Sequence, residues 1–511
     1  MSFSTILSAA IQGLKVEFVH VEADVAGGLP AFHMVGYLSS EVKEASERVR
    51  TAIKNSGFDL PAKKIVINLS PAAIRKRGAA FDLPIAVAIL ASMGQLDEDK
   101  TGKILAIGEL GLDGRIQKVP GILPIVTEAR KAGITRCMVP RGNAAEGALV
   151  KGIEIIGVNT LAEAHGFLTG KIMIRPEPYP KEKMQRHYEK EILDYSDIQG
   201  QEAVKRAMEI AAAGGHNLLM IGPPGSGKTM AAKRISTIFP PMTMEESLEL
   251  TKIYSILGMV DDEAPLIRER PFRSVHHTAT KAALVGGGAV PVPGEISLAH
   301  SGVLFLDELP EFQKGVLEVL RQPLEEHQIR ITRSQGNYLF PSNFILISAM
   351  NPCPCGCYPD FEKCTCSPGQ IQNYLGRISQ AFLTRMDICV ESSRVKYEAL
   401  KGSVKQESSE AIRARVCRAR EIQTRRYEGT LVLSNAMAQG KELELYCSLG
   451  PEEEKLMEQA FTALALTARS YHKILKVART IADLDGKENI EEKHLKEAIG
   501  YRSLDKKYWG R

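Results

Sequence analysis

The segment Gly222-Pro-Pro-Gly-Ser-Gly-Lys-Thr229 limits, more than any other, what this chain can fold into. It matches G-x-x-x-x-G-K-[ST], follows the apolar run Leu218 to Ile221 and opens a helical pattern through Met230 to Ile235. A strand, a glycine-rich turn and a helix in that order make a phosphate cradle. Gly222, Gly225 and Gly227 let backbone N–H groups turn inward at the positive end of the helix, with Pro223, Pro224 and Ser226 completing the loop. Lys228 brings a charge to the β- and γ-phosphates of ATP, and the Thr229 hydroxyl sits on Mg²⁺. Such a loop needs a largely parallel sheet behind it, so an α/β core is expected.

Val303-Leu-Phe-Leu-Asp-Glu308 is the natural partner of that loop. Four apolar residues make a buried strand, and two carboxylates stand at the end where ligands of parallel sheets bind. Asp307 is placed to hold Mg²⁺, directly or through water, and Glu308 to polarise an attacking water. A third apolar run, Phe344 to Ala349, ends in Met350-Asn351-Pro352, where the Asn351 amide can orient that water without competing for metal. Gly376-Arg377 and Thr384-Arg385-Met386-Asp387 are candidate sites for an arginine that stabilises γ-phosphate charge from a neighbouring subunit.

The rest of the chain is organised around this core. Val19, Val21, Ala23 and Val25 alternate with polar residues, which predicts a strand. Helical spacing from Ser40 through Val42, Ala45, Val49 and Ile53 predicts a helix stopped by Gly57. Lys64 to Leu69 reads as a buried strand, Asp82 to Met93 as a buried helix, and Ile104 to Ile107 as a short strand. Between about 167 and 194, Pro176, Pro178 and Pro180 lie in a run with no sustained apolar periodicity, the chemistry of a linker. Beyond Arg394 long helical patterns dominate. Four segments are therefore expected: 1–166, 167–194, 195–394 and 395–511. At 511 residues and a net charge of +4, the total charge does not by itself point to nucleic acid. The strongly apolar stretch Leu83 to Met93 falls short of the roughly 20 residues a membrane helix needs. The first residues carry neither a basic stretch nor a cleavage site, so a cytoplasmic protein is expected.

Of nine cysteines, five crowd between Cys353 and Cys366. Cys353, Cys355, Cys364 and Cys366 form two C-x-C pairs, and four thiolates in two close pairs can wrap a tetrahedral Zn²⁺. Reduced thiols in a surface loop, or a disulfide, are the alternatives; Cys357 is spare in the zinc reading. Farther on, Arg413, Arg415, Arg418, Arg420, Arg425 and Arg426 surround a modest apolar stripe of Ile412, Val416, Ala419 and Ile422. A solvated helix face is favoured there over a nucleic-acid site.

Read in order, Asp197-Ile-Gln-Gly-Gln201, the phosphate loop, Pro293-Gly-Glu-Ile-Ser-Leu-Ala-His300, Leu306-Asp-Glu-Leu-Pro310 and Ala349-Met-Asn-Pro352 resemble an AAA+ ATPase. More narrowly, they resemble the magnesium-chelatase-like branch that includes the MCM helicases. Pro271-Phe-Arg-Ser-Val-His-His277 with Gly286-Gly-Gly-Ala289, inserted between phosphate loop and acidic strand, is similar to the YifB/ComM family, and the resemblance covers nearly the whole chain. In that branch this insertion and a hairpin project toward a central pore. Ile329-Arg-Ile-Thr-Arg333, a turn at Gln335-Gly336 and Tyr338-Leu-Phe340 read as the hairpin, with Arg330 and Arg333 either touching a phosphate backbone or acting as solvated edge charges. The resemblance implies that Asn351 is a sensor, Arg385 the finger and Arg469 a second sensor in preference to Arg479. Where the family usually has an acidic residue before the finger, this chain has Thr384. The resemblance further implies a homo-oligomer, typically a hexamer, that acts on DNA as a helicase promoting branch migration; a chelatase-type ATPase that remodels a protein partner is the alternative.

Residues 1 to about 166 resemble the Lon-protease-like domain of this family. Aligned through Gly78 and Ala132-Gly-Ile134, the Lon serine position falls on Ala80 and the lysine position on Leu123. Neither side chain supplies a nucleophile or a base, so a Ser-Lys peptidase is excluded at that site. The expected architecture is a Lon-protease-like α/β domain, an AAA+ parallel-sheet core and a C-terminal helical lid.

Overall fold

The computed structural model describes residues 3–97, 103–185, 193–288, 290–333, 336–394 and 406–510. Its N-terminal part is a mixed seven-stranded sheet in the order 31–35, 64–70, 15–26, 3–12, 105–106, 136–140, 154–158. The long hairpin Phe3–Gln12 and Lys15–Ala26 is antiparallel, whereas the strands toward 154–158 pair parallel. Alternation along Lys15–Ala26 puts Val19, Val21, Ala23 and Val25 inside, against the buried helix Asp82–Ser92. Two expectations shift in detail. The helix from Ser40 is broken at Glu44 into Ser40–Lys43 and Ala45–Asn55. The strand read over Ile104 to Ile107 is paired only at Leu105–Ala106.

The central part is a five-stranded, wholly parallel sheet in the order 272–275, 303–306, 345–350, 218–221, 388–391. The strands 218–221 and 303–306 are buried along their entire length, which is why they read as unbroken apolar runs rather than as alternation. The predicted hairpin is present as Gln328–Arg333 and Gly336–Pro341. Ile329, Ile331, Tyr338 and Phe340 face inward while Arg330 and Arg333 are exposed; Gln335 of its turn and Ala289 of the glycine run lie outside the described residues.

Helices Ser409–Arg426, Pro451–Ala463, Ala468–Leu484 and Glu492–Trp509 complete the chain. The arginine-rich helix keeps Arg413, Arg418 and Arg425 on the expected solvated face, but its other arginines are spent differently. Ile412, Val416 and Ala419 are buried, and three arginines are half-buried against neighbouring helices. Arg415 pairs with Glu209, Arg420 donates to the Ala212 carbonyl, and Arg426 pairs with the buried Asp483. These are packing bonds between helices, hidden from a helical-wheel reading because their acceptors lie far away in sequence.

The first sheet and the core meet through polar contacts. The Ser255 hydroxyl donates to Glu146 Oε1 at 2.5 Å, and the Gly121 N–H donates to the Ser255 carbonyl at 2.8 Å. Burial raises the Glu146 carboxyl above its usual range, and bonds from Ser255, Leu123 and Asn143 offset part of that effect. Among the described residues, no helix is long and apolar enough to cross a membrane.

Candidate active site

Register assembles the site. Ile221 is level with Met350, so Gly222 and Asn351 leave the sheet side by side. Val275 is level with Leu306, so His276 and His277 emerge beside Asp307 and Glu308. All of these residues therefore stand at the carboxyl edge of one parallel sheet. Gly225 and Gly227 adopt positive φ, and Gly227 hands over to the helix Lys228–Arg234. Gln201 Nε2 donates to the Ser226 carbonyl at 2.9 Å, so the stretch Asp197–Gln201 braces the loop from behind.

Lys228 is folded back on the loop. Its Nζ donates to the Gly222 and Pro223 carbonyls at 2.7 and 2.9 Å and to Asn351 Oδ1 at 3.3 Å. Burial lowers its pKa, and Asp307 opposes that shift. A phosphate supplies the counter-charge that these carbonyls only partly replace, so the ammonium is poised to exchange partners when nucleotide enters. Thr229 Oγ1 donates to Asp307 Oδ2 at 2.6 Å, which brings together the hydroxyl and carboxylate that suit Mg²⁺. Thr229 and Asp307 would hold Mg²⁺, which would supply charge neutralisation at the phosphates, with Lys228 and the Asn351 beside it turned to the same space.

Glu308 has φ of +53°, and its backbone N–H donates to Asp307 Oδ1 at 2.9 Å. This turn separates the two carboxylates. Glu308 then faces His277, whose Nδ1 lies 3.5 Å from Glu308 Oε2. The ring of His276 lies beside that of His277, tilted by 33° with centroids 4.2 Å apart. His277 is a site residue that the sequence reading passed over. The clue was only that two histidines end the inserted strand, and their partner depends on strand register.

The arginines are elsewhere. The Arg385 carbonyl accepts from Asn217 Nδ2 at 3.1 Å, and Asn217 immediately precedes the phosphate-loop strand. The Arg385 backbone is thus tied to the end of the strand opposite Gly222, and Asn217 and Gly222 stand about 16 Å apart at roughly 3.3 Å per residue. Its Nη2 donates to Glu325 Oε1 at 2.7 Å, and the exposed Arg469 lies 4.0 Å from the same oxygen. Both line a cavity of about 1200 Å³ that includes no phosphate-loop residue. Arg377 instead pairs with Glu311, and Arg479 is consumed by Asp483 and the Lys487 and Glu488 carbonyls.

Cys353, Cys355, Cys364 and Cys366 place their sulfurs within 4.8 Å of one another. Cys357 turns away toward the Cys355 carbonyl. In the N-terminal sheet, Leu123 is buried and Ala80 partly so, in a setting of apolar neighbours.

Comparison with known proteins finds relatives over nearly the whole chain. Residues 194–400 match the family described as magnesium chelatase, subunit ChlI. Residues 21–143 and 406–502 match its N-terminal ChlI and C-terminal ChlI models. The chain is 43% identical over 507 residues to YifB of Escherichia coli, covering 99% of this chain and 98% of that protein. The chain belongs to the YifB/ComM family. Competence protein ComM of Haemophilus influenzae is 42% identical over 509 residues, with 99% and 98% covered. The protein Rv2897c of Mycobacterium tuberculosis is 36% identical over 503 residues, with 98% and 99% covered. As a YifB/ComM protein the chain is a magnesium-chelatase-like AAA+ ATPase, and ATP with Mg²⁺ fits the Lys228, Thr229 and Asp307 constellation.

Proposed function

We propose that this protein is an ATP-driven ring motor, a homo-oligomer of six copies that acts on DNA as a helicase promoting branch migration during DNA uptake and recombination. The division of labour within the sheet carries the ring. Lys228, Thr229, Asp307, Glu308 and Asn351 gather at one edge, while Arg385 and Arg469 gather around Glu325 at the other. An arginine beyond reach of its own phosphates serves a neighbour's. In this reading residues 195–394 are the motor and 395–511 the lid. Residues 167–194 link them to a non-peptidase unit, 1–166, that contacts substrate or other subunits, and the protein works in the cytoplasm.

The DNA half of the reading is supported by the exposed Arg330 and Arg333 on the hairpin and by the competence protein among the relatives. Phosphate contacts made this way are sequence-independent and salt-sensitive. The test is the ATPase rate with single-stranded, duplex and branched DNA. Stimulation is expected, falling as salt rises, and Arg330→Ala with Arg333→Ala should abolish it while leaving the basal rate intact. The matches to chelatase-subunit models favour a second reading, an ATPase that remodels a protein partner for metal insertion. No stimulation by any DNA, together with stimulation by a protein fraction, would select that reading.

A further inference from the structure

The loop after Asn351 has a geometry that nothing in nucleotide hydrolysis requires. Cys353 Sγ lies 3.4 Å from Cys355 Sγ and 3.8 Å from Cys364 Sγ, and Cys355 lies 3.6 Å from Cys364. Three sulfurs at nearly equal spacing are not a disulfide, whose sulfurs approach to about 2.05 Å. They match a tetrahedron around Zn²⁺, whose edge is about 3.8 Å for Zn–S bonds near 2.3 Å. Cys366 completes the set, and no fifth position is left for water or substrate among four thiolate ligands.

The backbone beside the sulfurs suits a thiolate. The Tyr358 N–H donates to Cys353 Sγ at 3.4 Å. Such a donor stabilises ligand charge and fixes ligand orientation. Gly356, with φ of +77°, makes the tight turn before it.

The same turn touches the nucleotide machinery. A Cβ placed on Gly356 would lie 2.3 Å from Pro224 Cδ, so the bare backbone of this loop rests directly on the phosphate loop. On its other side the loop meets the last helix of the chain, where the Tyr358 ring lies 6.0 Å from Tyr508. Trp509 Nε1 in turn donates to the Leu375 carbonyl at 3.2 Å. The cysteine loop therefore spans from Pro224 to the lid and begins two residues after the sensor Asn351.

We propose that Cys353, Cys355, Cys364 and Cys366 hold a structural Zn²⁺, and that the metal, by fixing this loop, braces Pro224 and Asn351 for nucleotide binding. The inference rests on the family's ATP site and is independent of DNA. Two parts are tested together. Metal analysis of the purified protein should give about one zinc per chain, released by a mercurial thiol reagent. Cys364→Ser and Cys366→Ser should lose the metal, whereas Cys357→Ser should keep it. Stripping zinc from the unmodified protein should weaken binding of a fluorescent ATP analogue by about tenfold or more, a 1.4 kcal/mol effect, and added Zn²⁺ should restore it. Gly356→Ala should keep its zinc yet bind the analogue more weakly, because the new methyl group collides with Pro224. Zinc below a tenth of an equivalent, with all four thiols freely reactive, would overturn the site. Full affinity in the stripped protein and in Gly356→Ala would overturn the brace.

Discussion

His277 Nδ1 stands 3.5 Å from Glu308 Oε2, so the residue two places past the neighbouring strand faces the carboxylate proposed to polarise the attacking water. We propose that His277 positions Glu308 in this arrangement. His277→Ala should lower kcat by about tenfold while KM for ATP changes little, since an unheld base loses orientation rather than binding. His277→Asn should recover part of the rate. Steady-state ATPase assays decide this, and an equal loss in KM would move His277 into the binding surface.

Lys228 and Glu308 should fail in different ways. Lys228 acts on bound phosphates, so Lys228→Ala should lose nucleotide affinity in a direct binding titration. Glu308→Gln should bind ATP normally and turn over about 10² to 10⁴ times more slowly, the range for a lost general base. Comparable turnover in Glu308→Gln and the parent protein would remove Glu308 from the mechanism.

Arg385 distinguishes a shared site from a self-sufficient one. Arg385→Ala should bind ATP almost normally and hydrolyse it at least about 10³ times more slowly. Mixing it with Lys228→Ala should recover activity, because some contacts then join an intact cradle to an intact arginine. Absence of recovery in demonstrated mixed assemblies would refute action across subunits.

His216 gives a stability prediction with a sign. The ring is fully buried, its Nε2 lies 2.8 Å from Thr480 Oγ1, and its Nδ1 lies 3.9 Å from Asp387. Burial lowers its pKa to about 4; Asp387 opposes the shift, while Lys476, Lys473 and Arg420 add to it. Unfolding restores a value near 6.5, so the unfolded chain binds the extra proton. The contribution is complete above about pH 6.5 and is lost as pH falls toward 4, to a limit of about 3 kcal/mol. Thermal melts across that window should show a slope that His216→Asn flattens.

Much of the parallel sheet was legible because its pattern is local in sequence. The phosphate loop carries its own strand and helix, and Val303 to Glu308 carries its own burial and charge. Partnerships set by register were not legible. His277 meets Glu308 only because Val275 pairs with Leu306, and no periodicity within either strand records that alignment. The arginine-rich helix misled in part, for a related reason. Counting charges round its axis cannot reveal that Glu209, Ala212 and Asp483 wait on other helices. Cysteine spacing selected the right four residues to converge, since two C-x-C pairs joined by a short loop have few ways to meet.

Asn217 binds the Arg385 carbonyl at the foot of the strand whose other end opens into the phosphate loop. In the proposed ring, giver and receiver of the arginine would therefore occupy opposite ends of that strand. Copies joined by such a donation meet head to tail, through two different surfaces rather than through one surface paired with itself. A contact of that kind has no natural end: it runs on as a filament or closes on itself, and every junction then points in the same rotational sense.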